Sequence, residues 1–121
     1  MDITVSDRED GPVVVDVDGA VDVYTAAQLR AALDALIGRG RTRMILDFDG
    51  VDFLDSTGLG VLVARLKVVR VQDGWLRLVC TSEKILRVLR ITGLDNLFPI
   101  HATVDEAAHN PSASGNTAAA G

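Results

Sequence analysis

The chain has 121 residues, of which 48% are hydrophobic and 24% charged, a composition typical of one globular domain rather than of a disordered chain. Its formal net charge of −5 argues against nucleic acid or an anionic membrane as a partner. Because no apolar run reaches membrane length and no charged-then-apolar leader is present, we expect neither a membrane span nor a secretory signal. The single cysteine, Cys80, excludes an internal disulfide and favours a reducing, cytoplasmic location, and we expect it to be a small core residue.

The first part of the chain predicts two strands and a helix. Residues 3–5 alternate weakly, residues 13–17 are rich in β-branched side chains, and the turn at residues 9–12 predicts that the two strands pair as a hairpin. Thr25 followed by Gln28 is a capping-box pattern. The helix that begins there carries apolar residues at helical spacing, which are Leu29, Ala32, Leu33, Leu36 and Ile37.

The middle of the chain must leave a strand and enter a helix within residues 55–60, Asp-Ser-Thr-Gly-Leu-Gly. Residues 44–48 predict a central strand, and the apolar residues after position 57 repeat at helical spacing. Ser56 stands where a helix N-cap is expected, at a position that tolerates negative charge. Gly58 and Gly60 leave room for another backbone or a bulky group. From these residues alone, the segment is either a plain turn capped by Ser56 or a serine hydroxyl displayed for phosphorylation.

The rest of the chain predicts a strand at residues 75–80, a helix capped by Ser82, an edge strand at residues 98–100 and a last helix opened by a capping box of Thr103 with Glu106. From residue 110 the composition changes to small and polar residues, so we expect a domain at residues 1–109 and a disordered tail at 110–121. This order predicts an α/β domain with a mixed β-sheet of about five strands, about four helices and an N-terminal hairpin. One face of the sheet is expected to be covered more thoroughly than the other.

Acidic residues near the predicted central strand admit two interpretations; they are Asp47, Asp49, Asp52 and Asp55. Carboxylates at a strand end can bind Mg²⁺ in a phosphoryl-transfer enzyme. We favour the alternative, in which residues 49–50 form a turn and the remaining carboxylates are solvated. His101 and His109 lack metal-ligand spacing and are expected on the surface. No catalytic triad or glycine-rich nucleotide motif is complete, so the sequence predicts no catalytic residue, no metal and no cofactor.

Residues 55–60 resemble the signature loop of bacterial anti-sigma factor antagonists, the founding members of the STAS domain family. Three further segments resemble the family's layout in the same order: residues 19–26 before the first helix, residues 89–94 before the last strand, and residues 98–107 as the closing strand and helix. The resemblance covers residues 1–109 and implies a single STAS-like domain. The amino-acid sequence of these segments is most similar to that of actinobacterial members.

The resemblance implies a partner-switching role in the regulation of transcription. Members bind an anti-sigma factor, itself a serine kinase with a GHKL-type ATP site, and so release a sigma factor. The kinase phosphorylates the first serine of the loop and thereby blocks binding, and a PP2C-type phosphatase restores the active form. On this chain Ser56 matches the phosphoacceptor, and Asp22 matches an aspartate that contributes to kinase recognition. The implied partner-binding residues are Asp22, Thr25, Asp55, Ser56, Thr57, Gly58, Leu59 and Gly60.

Two other functions stay open on the sequence. A non-switching STAS scaffold or transporter-accessory subunit would keep the fold but lose regulated phosphorylation, and the presence of Ser56 with Asp22 weighs against it. A magnesium-dependent phosphoryl-transfer enzyme would use the carboxylates between Asp47 and Asp55. Under the favoured interpretation the protein is not an enzyme, and its partners are proteins rather than nucleic acid, membrane or a small-molecule substrate.

Overall fold

The computed structural model describes residues 1–7 and 11–109, so the predicted disordered tail at 110–121 lies outside the described residues. Among the described residues, five strands and four α-helices follow one another, and no helix is long and apolar enough to cross a membrane. The elements are β1 (Asp2–Ser6), β2 (Val13–Val21), α1 (Ala26–Gly38), β3 (Arg43–Leu54), α2 (Ser56–Val71), β4 (Trp75–Val79), α3 (Glu83–Ile91), a short 3-10 helix (Leu94–Asn96), β5 (Ile100–His101) and α4 (Val104–His109).

The strands form one mixed sheet in the order β1-β2-β3-β4-β5. Strands β1 and β2 pair antiparallel as a hairpin, and the other neighbours pair parallel. Because spatial order follows chain order, right-handed crossovers place α1, α2 and α3 on the same face of the sheet. The predicted α/β architecture is confirmed.

The two faces of the sheet are covered unequally, as predicted. On one face, alternate strand residues such as Leu46 and Leu78 pack with leucines of α1, α2 and α3, and Cys80 is buried in the same core. On the other face, a small cluster around Ile45 and Val79 is covered by Ala107 of α4. The short α4 covers only part of this second face, because the same face of β2 and β3 carries half-exposed aspartates.

Strand β3 is longer than predicted, and the expected turn at residues 49–50 is wrong. Asp49 and Gly50 lie inside the strand, which continues to Leu54. The pairing with β2 shifts register twice, so β3 carries extra bulged residues relative to its neighbour. A Cβ at position 50 would overlap the carboxylate of Asp18, so a larger residue there requires that exposed side chain to turn away. An Asp-Gly pair usually marks a hairpin turn, and here it marks a bulge that lets the strand continue.

Of the four predicted helix caps, those of α1, α3 and α4 have different outcomes. Thr103 accepts a hydrogen bond from the Glu106 amide at 3.1 Å, so the last predicted cap is confirmed. Thr25 and Ser82 occupy the N-cap positions of α1 and α3, but neither side chain makes a capping hydrogen bond. Gln28 instead extends its side-chain amide towards the Met1 carbonyl oxygen, at 3.5 Å.

His101 is buried, so the prediction of a surface histidine is wrong there, whereas His109 is exposed as predicted. Only 3% of His101 is exposed, because α4 packs across the end of the short strand β5. Its Nε2 atom has no hydrogen-bond partner among the described residues. Burial lowers the pKa of His101, the nearby Arg77 guanidinium lowers it further, and Glu106 partly opposes both.

Acidification is expected to destabilise the fold through His101. The folded pKa lies below the ordinary value of 6.5, so between these two pH values the unfolded chain binds the extra proton. The contribution of neutral His101 to the free energy of unfolding is fully present above about pH 6.5 and is lost as the pH falls. For one proton, the free energy of unfolding changes by at most about 1.4 kcal/mol per pH unit. Urea unfolding between about pH 7 and pH 5 should show a component of this slope that disappears in His101→Phe. The same pH-dependent component should persist in the control His109→Gln. An equal dependence of the free energy of unfolding on pH in wild type and His101→Phe would contradict the expectation.

Candidate functional site

Two turns meet at the carboxyl-terminal edge of the parallel strands, the edge where open α/β sheets usually place their sites. One is the β2–α1 turn, residues 22–25, and the other is the β3–α2 turn, which we define as residues 55–60. Val21 pairs with Leu54 in the sheet, and the Asp55 amide donates a hydrogen bond to the Val21 carbonyl oxygen at 3.2 Å. These backbone contacts hold the two turns side by side.

Asp55, rather than Ser56, is the N-cap of α2, and the predicted cap is corrected accordingly. One Asp55 carboxylate oxygen accepts hydrogen bonds from the Thr57 amide at 3.0 Å and the Gly58 amide at 3.2 Å. Aspartate and serine are about equally good N-caps, so the sequence pattern alone does not choose between neighbours. Ser56 becomes the first residue of the helix.

Ser56 is exposed, and its hydroxyl makes no hydrogen bond with any residue that the structure describes. The hydroxyl is therefore displayed to solvent at the helix start. The amides of Thr57 and Gly58 are already engaged by the Asp55 carboxylate. A negative group placed on Ser56 would find those donors occupied and a carboxylate next to it, so the expected tolerance for negative charge is reduced.

The Asp22 carboxylate is used inside its own turn. One of its oxygens accepts hydrogen bonds from the Tyr24 amide at 2.9 Å and the Thr25 amide at 3.0 Å. The Thr25 hydroxyl donates to the Ala20 carbonyl oxygen at 2.7 Å and accepts from the Asp22 amide at 2.9 Å. This is an aspartate-stabilised turn, so Asp22 and Thr25 fix the shape of the loop from within.

Three exposed apolar side chains lie at the same edge of the sheet as Ser56 and were missed by the sequence analysis. Val23 and Tyr24 stand at the tip of the β2–α1 turn with 62% and 88% of their surface exposed, and Phe53 at the end of β3 is 44% exposed. Phe53 pairs with Ala20, which places it at the same edge of the sheet. The sequence did contain a signal for two of them, because Val23 and Tyr24 are adjacent apolar residues in a turn before a helix. Exposing such a pair to water is unfavourable, so it indicates a surface that a partner covers.

The predicted residues of the β3–α2 turn divide into inward and outward positions. Gly58 and Leu59 are buried, and a Cβ at position 58 would lie 2.6 Å from Val21 Cγ1 and 2.9 Å from Leu54 Cδ1. Thr57 and Gly60 are exposed, and a Cβ at position 60 would meet nothing within 4 Å. Gly58 and Leu59 therefore seat α2 against the sheet, whereas Thr57 and Gly60 lie on the open surface with Ser56.

Alanine substitutions at the two glycines are expected to have opposite effects on stability. Gly60→Ala should raise the free energy of unfolding by up to about 1 kcal/mol, because alanine is the better helix former and the position is open. Gly58→Ala should lower it by about 1–2 kcal/mol, because overpacking against Val21 and Leu54 exceeds the same helix gain. Urea denaturation of both variants measures the difference. Stabilisation by both substitutions would contradict the close packing at position 58.

Three of the four acidic residues considered as a magnesium site accept hydrogen bonds within the fold. Asp49 accepts hydrogen bonds from the Thr81 amide at 2.8 Å and the Thr81 hydroxyl at 3.0 Å, and Asp47 accepts one from the Asp49 amide at 3.1 Å. Asp55 caps α2. Within residues 1–7 and 11–109, no group of three or more histidine, cysteine, aspartate or glutamate side chains could hold a metal ion. The structure therefore gives the magnesium-enzyme interpretation no support.

Comparison with known proteins identifies the family of this chain. Residues 4–107 match the STAS domain. The chain is 39% identical to the anti-sigma-B factor antagonist of Bacillus subtilis (strain 168). The alignment spans 95 residues, which are 78% of this chain and 86% of that protein. The chain superimposes on an anti-sigma factor antagonist from Mycobacterium paratuberculosis with a TM-score of 0.79 and 33% identity, covering 88% of this chain and 89% of the other.

A further similar structure is that of the Bacillus cell fate determinant SpoIIAA in its phosphorylated form, with a TM-score of 0.68 and 26% identity over 88% of this chain and 96% of that one. The relatives named as antagonists are regulatory binding proteins and not enzymes. The match covers nearly the whole described part of the chain. The chain therefore belongs to the STAS domain family.

Proposed function

We propose that this chain is an anti-sigma factor antagonist, which binds an anti-sigma factor and thereby releases a sigma factor. The single observation that carries the proposal is the exposed, unbonded Ser56 hydroxyl at the first residue of α2, in a chain whose relatives are anti-sigma factor antagonists. Exposed apolar side chains beside it supply contact area for a protein partner. The acidic residues Asp22 and Asp52 complement a partner surface rich in lysine or arginine.

Phosphorylation of Ser56 is the proposed switch that turns binding off. A phosphate adds about −1.5 to −2 charge at pH 7. Since the nearest helix amides already donate to Asp55, the phosphate is left facing the partner beside an existing carboxylate. A loss of about 2.7 kcal/mol at the interface weakens binding about a hundredfold.

The switch requires no large conformational change. The Ser56 hydroxyl makes no hydrogen bond in the described part of the fold, so modifying it breaks none. Asp55 continues to cap α2 in either form. We expect amide spectra of the two forms to differ mainly near residues 20–30 and 52–66, and widespread shifts would contradict a local switch.

The proposed partners are an anti-sigma factor that is a GHKL-type serine kinase and a PP2C-type phosphatase that removes the phosphate. This cycle is implied by the family resemblance, and the phosphorylated form of the similar SpoIIAA structure supports its phosphorylation step. It would act in the cytoplasm. Asp22 would act by presenting the tip of the β2–α1 turn to the kinase, because its carboxylate is bonded within that turn.

The release of a sigma factor tests the function directly. A candidate anti-sigma factor is bound to its fluorescently labelled sigma factor, and increasing amounts of the unphosphorylated chain are added. We expect the anisotropy of the label to fall to the value of the free sigma factor with saturation at one chain per anti-sigma subunit. Failure to displace the sigma factor from any anti-sigma factor of the source genome would favour the non-switching scaffold role.

A further inference from the structure

A second concave surface lies at the opposite edge of the sheet from Ser56, where β2, β3 and β4 begin. We call it the amino-edge cavity; it is lined by Arg41, Arg43, Asp73, Trp75 and Arg77 among others, and its volume is about 690 Å³. This size falls within the range of about 300–1,000 Å³ that small-molecule sites occupy. The proposed antagonist function does not use this edge.

The charge of the amino-edge cavity is opposite to that of the whole chain. Three guanidinium groups and one carboxylate line it, and Asp7 pairs with the Arg41 guanidinium, which leaves a local charge of +1 in a protein whose net charge is −5. Such a concentration of one sign in a concave surface raises the local concentration of ions of the other sign. The cavity therefore favours an anion.

Two of the arginines are held in place by neighbouring groups. Arg77 donates a hydrogen bond to the Ala107 carbonyl oxygen at 2.7 Å, and its guanidinium carbon lies 3.6 Å from the centroid of the Trp75 ring. Arg41 pairs with Asp7 at 2.8 Å and donates to the Gly11 carbonyl oxygen at 2.8 Å. Fixed donors lose little entropy when a ligand binds.

Two of the positive charges have no carboxylate partner in the described part of the chain. Arg43 is exposed at the first residue of β3, next to Trp75 in the sheet register, and it forms no hydrogen bond or ion pair with any described residue. Arg77 bonds to a carbonyl oxygen and a ring face but to no acidic side chain among residues 1–7 and 11–109. Burial also lowers the pKa of Arg77, which reflects a cation held partly out of water. An anion between them would supply the missing countercharge.

An apolar wall continues from the charged one. A smaller concavity of about 250 Å³ shares Gly11, Pro12 and Ala108 with the amino-edge cavity, and Val14, Ile45 and Val104 line it. A ligand with a charged head and a less polar body matches this arrangement. Guanidinium groups bind phosphate oxygens in a bidentate manner, so several arginines suit a multiply charged phosphoryl group better than a single carboxylate.

We propose that the amino-edge cavity binds a small phosphorylated molecule, with Arg43 and Arg77 as the principal contacts of its phosphoryl groups. The site is separate from Ser56, because it lies at the amino-terminal ends of the strands whose carboxyl-terminal ends carry the two turns. The proposal does not rest on the antagonist function, and either can fail without the other.

Inorganic pyrophosphate is the probe for a first test, read out by amide chemical shifts of the full chain at constant ionic strength. We expect saturable shifts with one site per chain, concentrated at residues 40–43, 72–77 and 108, and none at residues 22–25 or 55–60. Sodium chloride at matched ionic strength should not reproduce them. Linear shifts without saturation, or shifts spread over other arginines, would overturn the proposal.

Matched substitutions locate the contacts. Arg43→Gln removes a charge that bonds to no described residue, so the fold should be unaffected and pyrophosphate binding weakened at least about tenfold. The control Arg87→Gln removes the same charge from an exposed position on α3 and should leave binding unchanged. Arg77→Lys keeps the charge but loses the planar guanidinium group that can bind phosphate in a bidentate manner, so it should also weaken binding. Equal affinity in wild type, Arg43→Gln and Arg77→Lys would exclude the site.

Discussion

Phosphorylated protein is expected to bind its anti-sigma factor about a hundredfold more weakly than unmodified protein, and Ser56→Asp at least about tenfold more weakly. The reason is local: Ser56 is exposed at the start of α2, and the Thr57 and Gly58 amides that could neutralise an added charge already donate to Asp55. The added negative charge and bulk therefore face the partner. Titration calorimetry against the anti-sigma factor gives the dissociation constants directly.

The control for this result is Ser6→Asp, an equal change of charge at an exposed serine. Ser6 ends β1 and pairs with Val14 near the start of β2, at the edge of the sheet away from the site. The affinity of Ser6→Asp for the anti-sigma factor should equal that of wild type. Ser56→Ala should also bind like wild type, because the hydroxyl makes no hydrogen bond in the described part of the fold. Equal weakening by Ser6→Asp and Ser56→Asp would show a general charge effect rather than a switch at α2.

Tyr24→Ala is expected to weaken binding to the anti-sigma factor by about tenfold to a hundredfold. Tyr24 is 88% exposed at the tip of the β2–α1 turn, and aromatic residues that become buried in an interface often contribute about 2 kcal/mol or more. Only its backbone amide is bonded within the turn, to Asp22, so the substitution should leave that bond and the stability of the fold intact. Surface plasmon resonance should register the loss as a faster dissociation rate.

Ile91→Ala is the matched control for Tyr24→Ala. Ile91 is 78% exposed, but it ends α3, and the end of that helix lies at the edge of the sheet away from Ser56. It removes exposed apolar surface without touching the proposed interface. Wild-type affinity of Tyr24→Ala, or an equal loss in Ile91→Ala, would place the interface elsewhere.

The architecture could be predicted because the signals were periodic and local. Leu29, Leu33 and Leu36 repeat at helical spacing and all three are buried in α1. The run around Leu46 is buried, as expected of a central strand. Alternation of strands with such helices leaves few topologies, so the mixed sheet with an N-terminal hairpin followed.

Details that depend on neighbours in space were not available from the sequence. The extension of β3 through Gly50 depends on how β3 bulges against β2, and the burial of His101 depends on α4 returning across β5. The local sequence pattern predicted a turn at residues 49–50 and a surface position for His101. Both errors arose where tertiary packing overrides a local preference.

The candidate site was predicted in position but not in the role of each residue. The sequence placed Ser56 correctly at a strand-to-helix junction, but the choice between Asp55 and Ser56 as N-cap rests on backbone geometry. Gly58 was expected to make room for an approaching group, and that group is the chain's own Val21 and Leu54. The exposed Val23 and Tyr24 are apolar residues in a turn, and hydrophobic periodicity assigns no role to such residues.

Mapping the phosphate tests the central claim most directly. The protein, Ser56→Ala and Thr57→Ala are incubated with ATP and each candidate anti-sigma kinase, and the products are digested and sequenced by mass spectrometry. We expect a mass increase of about 80 Da on the peptide that contains residue 56, absent in Ser56→Ala and retained in Thr57→Ala. Phosphate on Thr57 that persists in Ser56→Ala, or no phosphate from kinases that modify their own antagonists, would contradict it.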